Sequence, residues 1–165
     1  MDLSEHKKKL ENAVTSLFKN DTVLLEKDVN ERTISARLAH YLVAEYPSLN
    51  VDCEYNRKGD EPKRLPREEP TSTNDASGKT IFPDIIVHNR GDDSQNEVVI
   101  EIKKDGNNDT ERDFYKLKSL TSDSGSYKYR CGFHLTFHKN SVVVDTYENG
   151  QKSAETFTIS KPAED

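Results

Sequence analysis

Three residues carry the chemistry this sequence can offer: Asp84, Glu101 and Lys103. Asp84 stands in an apolar run, with Ile81, Phe82 and Pro83 before it and Ile85, Ile86 and Val87 after it. Glu101 and Lys103 alternate with Ile100 and Ile102 in a second run of the same kind. A charge inside such a run is costly to bury alone, so it needs a partner or a purpose. Strand periodicity puts Glu101 and Lys103 on one face. A suitable hairpin register brings Asp84 to that face, and two carboxylates then converge beside one ammonium. The set suits a hard divalent cation, Mg²⁺ (or Mn²⁺), which takes a few carboxylates, a carbonyl and several waters. Such a cation polarises a phosphoryl oxygen and acidifies a bound water. A neighbouring lysine can orient that water or stabilise charge in the transition state. Phosphodiester hydrolysis needs these parts.

The elements that must position these residues are legible. Leu3, Leu10, Val14, Leu17 and Phe18 recur at helical spacing, which predicts a helix over 3–19 and a break at Asn20-Asp21. Val23, Leu24 and Leu25 form a short apolar run of ambiguous type. A second helix is expected over 31–46, capped by Asn30 and stopped by Pro47. Its apolar stripe is Ile34, Leu38, Tyr41 and Leu42, and Glu31 stands at the end of that stripe. Glu31 has two readings: a fourth member of the site, or an acid complementing the helix dipole. Strands follow at 51–57, 81–89 and 97–104, then a helix at 110–121 and strands at 128–138, 141–148 and 153–159. Asn149-Gly150 marks a tight hairpin turn. The order α-α-β-β-β-α-β-β-β allows a parallel crossover through the third helix and antiparallel hairpins elsewhere. The fold class expected is α/β, a mixed central sheet flanked by helices in one domain, with a long loop at 58–80 and a frayed tail at 161–165.

Composition bounds the reading. The chain has 165 residues, 32% hydrophobic and 33% charged, with a net charge of −6. That is leaner than the usual apolar share of about 45–50%, and fits a folded domain with long polar loops. No run of about 18 apolar residues predicts a membrane span, and the N-terminal residues show no secretory signal, so a cytoplasmic protein is expected. Cys53 and Cys131 are expected to be free thiols and lack the near partners of a zinc site. The acidic balance argues against coating nucleic acid by bulk charge but leaves room for a basic patch. Arg57, Lys58, Lys63, Arg64 and Arg67 make such a patch in the loop, among Asp60, Glu61, Glu68 and Glu69. They are candidate phosphate contacts; a plain solvated loop fits the mixed charges as well.

Pro83-Asp84, a gap of sixteen residues and then Glu101-Ile102-Lys103 resemble the PD-(D/E)xK, or restriction-endonuclease-like, superfamily. The helix glutamate and the following crossover helix match that superfamily's common core over roughly 30–138. More narrowly, ERTISARLAHYL, VDCEYNR, FPDIIVH and VIEIKK are similar to stretches in a group of small uncharacterised bacterial proteins. The resemblance implies metal binding by Asp84 and Glu101 with the Ile102 carbonyl, a water-orienting role for Lys103 and a supporting role for Glu31. It implies a metal-dependent nuclease acting on nucleic acid, DNA before RNA; so small a chain would cut both strands together only as a homodimer or as part of a larger assembly. The alternative is a non-catalytic module of the same fold that binds nucleic acid or a protein.

Neighbouring residues have their own candidates. Glu54 can assist Glu31 or be a solvated edge acid, and His88 can touch a phosphate or be a structural histidine. Asp113 and Lys116 on the crossover helix can face the site, Lys116 as a substrate contact, although a solvated helix face is the default. Arg37 and His40 are expected at the surface or in ion pairs. His134 and His138 share a strand face without the further ligands a zinc pair needs.

Overall fold

The computed structural model describes residues 1–58, 61–65 and 79–163. Three helices flank a six-stranded mixed sheet in an α/β arrangement. Helix α1 spans Leu3–Glu26, with Asp2 and Glu5 forming a capping box at its start. The expected break at Asn20-Asp21 is a kink inside one helix, where Asp21 leaves helical geometry (φ −128°, ψ 23°), and the ambiguous Val23–Leu25 run continues the helix. Helix α2 spans Glu31–Glu45, its first turn capped by the Asn30 side chain.

The strands are β1 (Asn50–Cys53), β2 (Ile85–His88), β3 (Val98–Lys104), β4 (Cys131–Phe137), β5 (Ser141–Glu148) and β6 (Gln151–Ser160), with helix α3 (Glu111–Thr121) between β3 and β4. They lie side by side in chain order. Only the β3–β4 pair, joined by α3, is parallel. This is the succession expected from sequence.

Two strands are shorter than expected. β1 stops at Cys53 because Glu54 adopts a left-handed conformation (φ 49°). β2 begins only after Asp84, which therefore sits at the mouth of the strand rather than mid-strand. Pro83 has no N–H to give a ladder, so proline stands at a strand's start. The Asn149-Gly150 turn has both residues at positive φ (51° and 75°), as a two-residue hairpin requires. Part of the expected 58–80 loop is paired: Arg57–Lys58 with Glu61–Pro62, and Arg64–Leu65 with Lys79–Thr80. Arg67 lies outside the described residues, as do 164–165 of the expected frayed tail. At its start the tail is held, since the Lys161 N–H donates to the Asn140 carbonyl at 2.8 Å.

The sheet buries two unlike faces. On one, Ile85, Val87, Ile100, Ile102, Phe133, Leu135, Val142 and Val144 pack against α1 and α2 through Leu10, Val14, Leu17, Phe18, Leu38 and Leu42. On the other, Ile86, Val99 and Tyr147 pack against Leu117 and Leu120 of α3. Helix α3 sits close: a Cβ at Gly132 of β4 would meet Leu117 at 3.1 Å and Thr121 at 3.2 Å. No helix among the described residues is long and apolar enough to cross a membrane. Both cysteines are free, Cys53 exposed and Cys131 buried.

Candidate functional site

The two halves of the motif meet across the β2–β3 pair. The Ile102 N–H donates to Asp84 Oδ2 at 2.7 Å, fixing that carboxylate opposite the centre of Glu101-Ile102-Lys103. A position just outside β2 leaves the carboxylate free to turn to this bond. Glu101 is fully buried on the α3 face, and its Oε2 pairs with Lys116 Nζ at 2.5 Å. Among the described residues its other oxygen, Oε1, is buried without a hydrogen-bond partner. Lys103 Nζ lies 3.1 Å from Asp113 Oδ2 and 3.9 Å from Glu31 Oε2.

Glu31 reaches this point although its helix packs on the opposite face. Standing first in α2, it passes the end of the sheet. Its Oε1 accepts from the Lys104 N–H at 3.2 Å and from Asn107 Nδ2 at 3.0 Å. The carboxylate thus does more than complement the helix dipole. Asp113 binds a second cation, Lys116, at 3.5 Å. His134 of β4 stands in register beside Glu101, with Nε2 3.6 Å from Asp113 Oδ2 and its ring against Phe114. Among the described residues neither nitrogen of His134 has a hydrogen-bond partner.

Burial pushes the Asp84 carboxyl above its ordinary value, against the Ile102 N–H bond and the nearby lysines. Burial, reinforced by the Asp84 charge, pushes Glu101 well up despite Lys116. Burial would raise Asp113 as well, but His134, Lys116 and Lys103 hold it below the usual carboxylate range. Burial would lower Lys103, yet Asp113 and Glu31 keep it above the ordinary lysine value. Three carboxylates (Glu31, Glu101, Asp113) pair with two ammonium groups, Lys103 and Lys116, and Asp84 lies within the field of both lysines.

A divalent cation between Asp84 and Glu101 would offset the burial and the mutual repulsion that push these two carboxyls up. Among the described residues no three His, Cys, Asp or Glu side chains form a ready metal cage. Magnesium does not need one: it binds through one or two carboxylates and keeps several waters. Asp84 and the unpartnered Glu101 Oε1 fit that demand, and Ile102, the expected carbonyl donor, is the residue whose N–H holds Asp84.

No family model matches the chain, and no curated protein or solved structure is significantly similar to it.

The structure gathers Glu31, Asp84, Glu101, Lys103 and Lys116 in one place. Asp113 and Lys116 are buried (5% and 8% exposed) rather than solvated, and Lys116 spends its charge on Glu101 and Asp113. Asp113, Lys116, Leu117 and Leu120 are spaced i, i+3, i+4, i+7, the signal that both charges lie on the stripe facing the sheet. His134 was signalled less strongly, by its alternation with Phe133 and Leu135.

The other candidates sit elsewhere. His88 is buried against Asp52 (2.9 Å) and the Tyr55 ring, with Arg90 on the same carboxylate. Lys63 turns inward: its Nζ donates to the Arg57 carbonyl and lies 5.1 Å from the Tyr55 ring centre. Lys58 lies over the Tyr127 ring at 5.5 Å, and Arg57 is exposed. The Arg64 side chain lies outside the described residues. Glu54 pairs with Arg32 at 3.2 Å at the surface, and Arg37 pairs with Asp21. His138 stands apart from His134, paired with Asp105.

Proposed function

We propose that the chain is a Mg²⁺-dependent nuclease of restriction-endonuclease-like fold that hydrolyses phosphodiester bonds in nucleic acid, DNA foremost. One observation carries the reading: the 2.7 Å bond that seats Asp84 between Glu101 and Lys103. The order α2-β1-β2-β3-α3-β4 with its parallel β3–β4 pair supports it.

Magnesium, when bound, supplies Lewis acidity and an acidified water. Asp84 and Glu101 Oε1 would hold it. Lys103 presents its ammonium to the attacking water and to charge developing on the phosphoryl oxygens. Asp113 and Glu31 tether the Lys103 ammonium. Lys116 lowers the cost of keeping Glu101 ionised in a dry place. One such site cuts one strand, so paired cutting needs a second copy or a larger assembly.

The Lys116–Glu101 pair also favours a second reading, a non-catalytic module in which the charges form only an ion-pair network. Cleavage separates the two. Wild type and Lys103→Ala are incubated with supercoiled plasmid, linear duplex, single-stranded DNA and structured RNA, with Mg²⁺ or Mn²⁺. The nuclease reading expects cleavage by wild type and a loss of at least 100-fold in the variant (on the order of 10²–10³ for one electrostatic group). Equal cleavage by both, or by neither while metal fails to bind, overturns it.

A further inference from the structure

A histidine stands where packing alone asks for an apolar ring. His134 is 1% exposed in the middle of β4, in register between Glu101 of β3 and Asp145 of β5. Its ring meets Phe114 edge to face, with centroids 4.9 Å apart. Its two nitrogens are orphans among the described residues. A buried polar group left so costs free energy, and in a native fold it asks for an explanation. Asp113 supplies one. It lies beside Phe114 in the first turn of α3, and its Oδ2 is also buried without a hydrogen bond among the described residues. Two groups face that oxygen: Lys103 Nζ at 3.1 Å and His134 Nε2 at 3.6 Å. The other oxygen faces Lys116 at 3.5 Å, and Lys116 is already bound to Glu101 at 2.5 Å. Asp113 is thus drawn toward two ammonium groups, of which Lys103 is the one the proposed reaction uses. An N–H at 3.6 Å is beyond hydrogen-bond length, yet in a dry site it still attracts a carboxylate.

We infer that His134 is a positioning residue for the cleavage reaction: its Nε2–H steadies Asp113 Oδ2, and Asp113 in turn steadies the Lys103 ammonium. The carboxylate it faces sets the tautomer, with the proton on Nε2. Phe114 fixes the ring, so the N–H keeps its direction. In this role His134 acts through Asp113 and need not touch the substrate. The inference rests on the nuclease reading above.

The test measures cleavage in Mg²⁺ of the nucleic acid that wild type cuts, with Mn²⁺ binding and thermal melting recorded for each variant. His134→Phe keeps the shape of the ring and removes its nitrogens. It should lower kcat about tenfold, short of the roughly 100-fold that a misplacement of about 1 Å can cost, while KM and Mn²⁺ binding stay as in wild type. Its melting temperature should equal or exceed that of wild type, since a buried polar group without a partner is gone. His134→Gln, whose amide nitrogen falls at the place of Nε2, should recover most of the lost kcat. His134→Asn, whose amide falls at the place of Nδ1, should not. In Lys103→Ala, adding His134→Phe should lower kcat no further, because both changes act through the same ammonium. Wild-type kcat in a folded His134→Phe, a Gln variant no better than the Asn variant, or the full loss repeated on top of Lys103→Ala overturns the inference. If cleavage by wild type still depends on Lys103, the nuclease reading survives that result; if wild type neither cleaves nor binds metal, both fall together.

Discussion

The two faces of the sheet solve different problems. The face under α1 and α2 is apolar from β2 to β5, and two helices of 24 and 15 residues cover it. The other face has one helix of 11 residues, and its apolar cover ends after Val99. Beyond Val99 the same strand carries Glu101 and then Lys103, met by Asp113, Lys116 and His134. One face of β3 holds the fold together; the other gives up apolar contact to place charge in a dry pocket. Buried charge of this kind is shared by functional sites and by ion-pair networks, and the proposed site rests on it.

Substitutions on each side should therefore behave differently. The largest effect is expected on the apolar face, where Phe133→Ala should cost about 3–5 kcal/mol in urea unfolding. Next comes the charged face. Lys116→Met leaves Glu101 buried without its cation and should cost about 3 kcal/mol, and adding Glu101→Leu should return most of that. A double variant as unstable as the single one would mean that the pair itself holds α3 on the sheet.

A smaller effect concerns Lys63, whose burial draws its ammonium from the ordinary 10.5 down to about 8. Between those values the unfolded chain binds the proton and the folded chain does not, so this group makes stability rise with pH over that window. Below it, Lys63 charged and buried is a standing cost. Lys63→Met should flatten the dependence of the melting temperature on pH between about 8 and 10.5. An unchanged slope would mean that the residue is solvated in solution.

Much of this was legible in the residues. Asn30, Pro47 and Asn149-Gly150 act through local backbone chemistry, and those boundaries appear within a residue or two of expectation. The break at Asp21 was visible, but sequence spacing does not distinguish a kink from a gap when apolar residues continue on the far side. Asp84 looked mid-strand because hydropathy ignores the missing N–H of Pro83. The inward turn of Lys63 depends on Tyr55 and Tyr127, rings distant in sequence that come together only in the fold. Asp113 and Lys116 were named as able to face the site, against the default that charged helix positions meet water; the place of His134, on a strand, beside Glu101 was not read. The default failed because Glu101 needs a cation at that depth.

The central claim is that Asp84 and Glu101 together form a divalent-cation site. Calorimetric titration of Mn²⁺ into the wild type and Asp84→Asn tests it most directly. The variant keeps an acceptor for the Ile102 N–H and removes one negative charge, so its fold should be retained. One bound ion in the wild type and loss of that binding in Asp84→Asn is the result expected. No binding to the wild type, or equal binding to both, would contradict the claim and leave a network of ion pairs in its place.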